Sequence, residues 1–388
     1  MKIQAGIGSS RHLMDAFAAG SEAARAAVTG LCGQSPAVVL VFSTPQYDLP
    51  VLLKGIRAVT GTTPLIGATG AGEIFLGQHL GVGGGVAVLA LTAGPYRFGV
   101  ASEPAIRGNL EQAGQSLARL SRAEAGPSPH AAILLLADCL AGNLQQLVHG
   151  VYRVTGPRVS IAGGAANDEL RFVRTFVFHN DQVLEGGAVA LWIASEFPLP
   201  VGCRHGWEPV GVPLLVTRTD DTEIVELGGR PAAIAYEDQL GIAPGQLSVE
   251  NFWDTSMLHP FGLLQSDGTA IIRVARSKNE QGALRIQGCV PPPGSAVQVM
   301  GSSIESLLTI TGEVVESALN GHPDPGVVLL FNCAARAKIF GDRVAEEVRL
   351  LQEAAGGTPT FGFYCCGEFA RTAGVLATHN ATLTALVL

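Results

Sequence analysis

The chain has 388 residues, of which 47% are hydrophobic and only 15% charged, which supplies a large core and excludes disorder. Its formal net charge of −8 argues against a nucleic-acid or anionic-membrane surface. No run approaches the roughly 18–20 apolar residues that cross a bilayer. The opening Met1-Lys2-Ile3-Gln4-Ala5 lacks the apolar core of a signal peptide, so a cytoplasmic protein of two or three domains is expected.

In chain order, Gly6-Ile7-Gly8-Ser9-Ser10 reads as a short strand leading into a helix capped near Ser10 or His12. Residues 15–31 form that helix, with Phe17, Ala24, Val28 and Leu31 on one face and Pro36 beyond its end. Residues 38–42 are continuously apolar and β-branched, the mark of a buried strand. Leu49, Leu52, Leu53, Ile56 and Val59 follow at helical spacing up to Gly61, and a second strand begins at Thr63. After a helix over 110–123 and a linker over 124–129 the order repeats. Residues 133–136 are the strand, and Leu144, Leu147, Val148, Val151 and Val154 are the helix face, stopped by Gly156-Pro157. Residues 171–178 and 183–193 read as a hairpin around the polar turn 179–182.

Beyond Pro198 the pattern changes to alternating strands. Residues 214–217 and 222–227 flank the turn signal Asp220-Asp221, and Gly229-Arg230-Pro231 starts a helix with proline in its first turn. Strands are expected over 271–275, 284–287 and 297–301, then a helix over 303–319. A domain boundary near residue 215 divides the chain into 1–215 and 216–388. The fold class is α/β, with strand–helix–strand units in twisted mixed sheets.

One unit is used about three times. Thr63-Pro64-Leu65-Ile66-Gly67, closing on Gly72-Glu73, returns as Thr358-Pro359-Thr360-Phe361-Gly362, closing on Gly367-Glu368. A weaker middle copy is Val159-Ser160-Ile161-Ala162-Gly163, closing on Asp168-Glu169. Each copy trails one apolar run (38–42, 133–136, 327–331) and precedes another (86–91, 188–193, 383–388).

The seven cysteines are scattered without C-x-x-C spacing and read as small buried hydrophobes in a reducing compartment. Adjacent Cys365-Cys366 should point to opposite faces of a strand. No nucleophile elbow, zinc-protease helix, Walker loop or dinucleotide-binding glycine motif is present, so no catalytic residue is expected. Gly83-Gly84-Gly85 precedes a strand rather than a helix, which argues against phosphate cradling there.

Gly67 to Ile74 (G-A-T-G-A-G-E-I) resembles the N-terminal half of the FIST sensory domain. The stretch from Gly202 to Gly211 (G-C-R-H-G-W-E-P-V-G) resembles its end, followed by Val216-Thr217-Arg218 and Glu226-Leu227-Gly228-Gly229-Arg230-Pro231-Ala232. His259-Pro260-Phe261-Gly262 and Gly362-Phe363-Tyr364-Cys365-Cys366-Gly367-Glu368-Phe369 resemble the C-terminal half of that family. The resemblance implies an intracellular sensor of small ligands such as amino acids, tied to signalling enzymes. One branch of free-standing FIST proteins binds haem, senses nitric oxide and regulates a partner histidine kinase by contact. A similar role, with no nucleic acid or membrane as partner and with a homodimer as one arrangement, is what the resemblance implies here.

Two sets of candidates follow. The glycine–glutamate turns bring backbone close to a ligand at strand ends, so Gly67, Gly72, Glu73, Asn167, Asp168, Asn332, Arg336, Phe363, Tyr364, Gly367 and Glu368 are pocket candidates. An amino acid there would set its carboxylate on Arg336 and its ammonium on a glutamate. Haem needs an axial base, apolar walls and cations for its propionates. His205 ranks first as the iron ligand and His259 second, with Trp207 as wall and Arg204 or Arg336 as cation. His12, His130 and His322 are expected to face solvent.

Overall fold

The protein is described here by a computed structural model covering residues 2–266, 268–372 and 375–388. Three copies of one unit account for most of it. The first runs β1 (Ala5–Ser10), α1 (Ala16–Thr29), β2 (Val38–Ser43), α2 (Leu49–Thr60), β3 (Leu65–Thr69), a small hairpin β4 (Glu73–Phe75) and β5 (Gln78–His79), and β6 (Val86–Leu91). The second repeats the order as β7 (Arg97–Glu103), α3 (Leu110–Ala125), β8 (His130–Ala137), α4 (Leu144–Thr155), β9 (Ser160–Ala165), hairpin β10 (Phe176–His179) and β11 (Gln182–Glu185), and β12 (Ala188–Ser195).

The third unit opens with β13 (Val201–Arg204) and is at once interrupted. The insert holds β14 (Glu208–Pro209), β15 (Leu214–Asp220), β16 (Glu223–Leu227), β17 (Arg230–Pro231), α5 (Ala232–Gln239), α6 (Phe252–Leu258), β18 (Phe261–Leu264), β19 (Ala270–Arg273), β20 (Ala275–Lys278), β21 (Leu284–Ile286) and β22 (Ala296–Gly301). Its strands form a sheet of their own, in the order β19-β18-β22-β15-β16-β21-β20, with β14 on β22 and β17 on β16. Unit three then resumes with α7 (Ile304–Leu319), β23 (Val328–Cys333), α8 (Ala334–Phe340), α9 (Val344–Ala354), β24 (Thr360–Cys365), hairpin β25 (Glu368–Thr372) and β26 (Val375–His379), and β27 (Leu383–Val387). The α/β class and the mixed, repeated sheets are as the sequence predicts.

Each unit gives its hairpin away. The sheet orders are β1-β6-β2-β3-β10-β11, β26-β25-β9-β8-β12-β7 and β13-β27-β23-β24-β4-β5. The hairpin of unit one therefore extends the sheet of unit three, that of unit two extends unit one, and that of unit three extends unit two. The exchange is cyclic and closes the three sheets on one another. It is also why the expected strand over 183–193 is two: β11 ends in the sheet of unit one, and after Gly186-Gly187 the chain enters β12 in its own.

The inner faces of the three sheets share one core, where Phe42 stacks on Phe363 with ring centroids 4.1 Å apart and Phe331 meets Phe363 edge-on. Helices cover each outer face, so the central strands are buried on both sides and read as unbroken apolar runs. Cys365 enters the shared core and Cys366 the core under α3 and α4, the opposite faces the sequence predicts. Helix α1 begins later than expected: Asp15, not Ser10 or His12, caps it by accepting from the Ala18 N–H.

The repeated glycine has a packing reason. Gly67 pairs with Val41, Gly163 with Leu135 and Gly362 with Leu330 in the parallel ladders. A Cβ at any of the three would lie within about 2.1 Å of that partner's carbonyl oxygen. Gly67 is thus a strand-packing residue rather than a pocket residue.

Candidate functional site

In open α/β sheets the space beyond the carboxyl ends of the strands is where ligands bind, because loops and helix N-termini converge there. Each unit has such a crevice. That of unit one is about 580 Å³ and lies between residues 45–50 and Asp168, Arg171 and Arg174. That of unit two is about 330 Å³ and lies between Cys139, Leu140 and Gly142 and the insert. That of unit three is about 540 Å³ and is walled by His79, Val82, Glu169, Leu170, Trp253, Lys338 and Tyr364.

The last is the only one of these three crevices to which all three units and the insert contribute, and we call it the junction crevice. His79 and Val82 come from unit one, Glu169 and Leu170 from unit two, Trp253 from α6 of the insert, and Lys338 and Tyr364 from unit three. Three rings furnish it: His79 stands edge-on to Tyr364 at 6.4 Å, and Lys338 Nζ sits 6.0 Å from the Trp253 ring while pairing with Asp254 at 3.4 Å. Burial, followed by the charge of Arg11, lowers the pKa of His79, so its ring is neutral at pH 7. Glu169 is nearly buried, accepting from Thr44 Oγ1 at 2.8 Å and Gln46 Nε2 at 3.1 Å and pairing with Arg171.

Beneath the crevice runs a sealed charge network. Arg336 is fully buried and donates from Nε (3.0 Å) and Nη2 (2.7 Å) to Glu347 Oε1, while Tyr364 donates to Glu347 Oε2 at 2.8 Å. Nη2 also reaches the Leu307 carbonyl at 2.9 Å. The expectation that Arg336 clamps a ligand carboxylate or a propionate is therefore corrected: its guanidinium is consumed internally by Glu347. Burial, then the Glu347 charge, pushes the Tyr364 phenol well up, which keeps it a neutral donor.

The glycine–glutamate turns meet one another rather than a ligand. Glu73 pairs with Phe363 across the exchanged strands, Tyr364 N–H donates to the Gly72 carbonyl at 2.9 Å, and Ala165 N–H donates to Gly367 at 2.8 Å. Asn167 N–H donates to Thr69 at 2.8 Å, and its Oδ1 accepts from Leu170 N–H at 2.9 Å. Asp168 borders the unit-one crevice, but its carboxylate accepts from the N–H groups of Phe172, Val173 and Arg174 at 2.6–2.9 Å, so it shapes the turn. Glu368, fully buried, accepts from Cys365 Sγ at 3.3 Å and Thr382 N–H at 3.2 Å, and burial pushes its pKa up to about 8. Glu73 is equally buried, its carboxylate has no hydrogen-bond partner beyond its own backbone among the described residues, and its pKa is also pushed up by burial. Asn332 and Phe363 are buried in the sheet of unit three. Of the sequence-derived pocket candidates, Tyr364 alone lines the junction crevice, and Glu169, Trp253, His79 and Lys338 are additions. Glu169 carries a signal as the closing glutamate of the middle repeat, but nothing in the sequence ties Trp253 to Tyr364.

The haem candidates part company. His205 and Arg204 line a further cavity of about 670 Å³ with Pro200, Ile271, Asn320 and His379. Nδ1 of His205 accepts from Trp207 N–H at 2.9 Å, and the Ala270 backbone beside the ring favours its protonated form. Burial and the charge of Arg336 press its pKa down to about 4. His379 stands at the end of β26, where burial and Arg273 press its pKa down to about 3 and its Nε2 has no partner among the described residues. Trp207 is packed in the core with its indole N–H on the Ala381 carbonyl, and His259 caps α6, Nδ1 on the Thr255 carbonyl at 3.1 Å, away from the cavity wall. His322 does not face solvent: it is buried against the Tyr96 hydroxyl at 3.0 Å. Among the described residues, no cluster of three or more His, Cys, Asp or Glu side chains could hold a metal ion. No helix among them is long and apolar enough to cross a membrane.

Comparison with known proteins gives the class. The FIST N domain matches residues 37–230 and the FIST C domain residues 232–371, so this chain belongs to the FIST family, whose domains point to sensory signal transduction. An uncharacterised protein of Mycobacterium tuberculosis is 28% identical over 387 residues, covering 95% of both chains. An uncharacterised protein of Mycobacterium bovis is 27% identical over 241 residues, covering 58% of this chain and 59% of that one.

Proposed function

We propose that this chain is a sensor of a small zwitterion with an apolar or aromatic body, an amino acid or close relative, bound in the junction crevice. The observation that carries the proposal is the composition of that crevice: one cation, Lys338, one anion, Glu169, and the rings of Trp253, Tyr364 and His79. Lys338 takes the ligand carboxylate in exchange for Asp254, and Glu169, which also accepts from Thr44 and Gln46, takes the ammonium in place of its Arg171 pair. The rings supply the apolar contact that small-molecule pockets favour. A ligand there touches three exchanged units and the insert at once, so its binding energy can favour one arrangement of them over another. The output is contact with a partner such as a histidine kinase, and the chain acts as a cytoplasmic binding protein rather than as an enzyme. A thermal-shift screen of free amino acids and their amides and amines tests the assignment. A zwitterion that raises the melting temperature supports it, with the amide and the decarboxylated amine both weaker; shifts indifferent to either charge sink it.

A second reading, haem with nitric oxide as signal, is favoured by the free Nε2 of His379 in the neighbouring cavity. That nitrogen fits an axial ligand, whereas His205 already accepts at Nδ1 from Trp207, and Arg204 on the wall supplies one cation for a propionate. Haem would bring a gas-binding iron to this site. Added haemin should give a Soret band in wild type and in His205→Ala but not in His379→Ala. A protein that takes up no haemin ends this reading and leaves the first intact.

A further inference from the structure

We propose that the crevice of unit two binds a phosphoryl group, carried by inorganic phosphate or by a compact phosphomonoester. Arg107, Arg276 and Arg285 line it together, with the Thr222 hydroxyl and the Gln287 amide as further donors. Arg107 reaches it from the loop before α3, and Arg276 and Arg285 from strands β20 and β21 of the insert, so unit and insert each contribute a cationic wall.

The arginines are poorly neutralised. Arg107 Nη2 donates to the Leu140 carbonyl at 2.9 Å, and the Arg276 guanidinium lies 4.6 Å over the Phe172 ring, neither contact cancelling charge. Arg285 lies 3.5 Å from Glu223, a carboxylate that also accepts from Asn279 at 3.0 Å. Among the described residues the three guanidiniums thus have one carboxylate partner, Glu223, in a chain whose net charge is −8. The equivalent crevice of unit one makes the contrast: its Arg171 and Arg174 are each paired with an acid of their own, Glu169 and Glu185. The amino end of the twelve-residue helix α4 begins just past Gly142, a lining residue, and adds its partial positive charge. Planar guanidiniums match phosphate oxygens two bonds at a time, which a singly charged carboxylate ligand exploits less fully. The volume, about 330 Å³, is small for a nucleotide and suits a phosphate with a short carbon body.

The test is calorimetric titration of the full chain at constant ionic strength with inorganic phosphate, glycerol 3-phosphate and, as a singly charged control, acetate. Wild type should bind at least one of the two phosphates saturably and acetate far more weakly. Arg276→Met with Arg285→Met should weaken that binding roughly tenfold or more, while Arg349→Met, on the far exposed face of α9, should leave it unchanged. Binding of free phosphate alone identifies the inorganic ion, and tighter binding of the ester identifies a metabolite; either supports the proposal. All three arginines are exposed or half-buried, so the variants should melt as wild type does. Should the double variant fail to fold, Arg107→Met and Arg285→Met singly carry the same test. Absence of saturable heat with both phosphates, or undiminished binding in the arginine variants, overturns the proposal.

Discussion

The junction crevice and the His205 cavity are neighbours with different walls. The first draws residues from all three units and the insert; the second is built from unit three and its own insert alone. One holds a lysine and a glutamate set about aromatic rings, the other a free imidazole nitrogen and an arginine. Binding energy spent across four parts of the chain biases their arrangement, whereas binding inside one part orders only that part. Arg336 joins the two. Its Nε and Nη2 hold Glu347 beneath the junction crevice, and Nη1 points at the His205 carbonyl 3.5 Å away.

The largest effect should come from breaking that shared element. Arg336→Met strands the Glu347 carboxylate in the core, and losing one partner of a buried pair costs about 3–5 kcal/mol, measurable by urea unfolding. It should also lift the His205 pKa, since the Arg336 charge is the largest influence on it after burial; a histidine titration read by NMR reports this.

Next is Glu368, whose oxygen accepts from Thr382 on the His205 side. Its folded pKa of about 8 lies above the ordinary 4.5, so between those values the folded state holds a proton that the unfolded chain releases. Stability from this group is full below pH 4.5 and is lost as pH rises towards 8. Glu368→Gln should remove that slope, gaining on wild type by up to a few kcal/mol at about 1.4 kcal/mol per pH unit. Parallel pH profiles of the two proteins would contradict the assignment. The smallest effects sharpen the junction side. Lys338→Met and Glu169→Gln should each weaken the ligand by roughly 1–2 kcal/mol, Lys338→Met with little change in melting because Lys338 is half exposed.

Much of the fold was legible in the sequence because repeats and doubly buried strands leave period and composition signals. The three Thr/Val–Gly strands, their closing runs and the opposed Cys365 and Cys366 all stand where the pattern puts them. The hairpin exchange was hidden, since nothing local in Glu73–Phe75 says that its partner is Phe361–Phe363 rather than its own sheet. The candidate site was legible only at Tyr364. Repetition singles out Glu73, Glu368 and Asp168, and in the structure all three serve turn and strand geometry. Arg336 looked available until α9 supplied Glu347 eleven residues on. His205 and His379 differ in which backbone groups and which arginines reach their rings, and that is tertiary information.

The most direct measurement uses the chain's three tryptophans. Trp192 and Trp207 are buried in separate cores, and only Trp253 borders the junction crevice. Titration of a zwitterion found by thermal shift should therefore change tryptophan emission saturably in wild type. In Trp253→Phe the emission change should vanish, with the melting shift retained but reduced. An emission change that persists undiminished in Trp253→Phe, or a melting shift with no change in Trp253 emission, would put the ligand elsewhere and contradict the junction crevice as the sensing site.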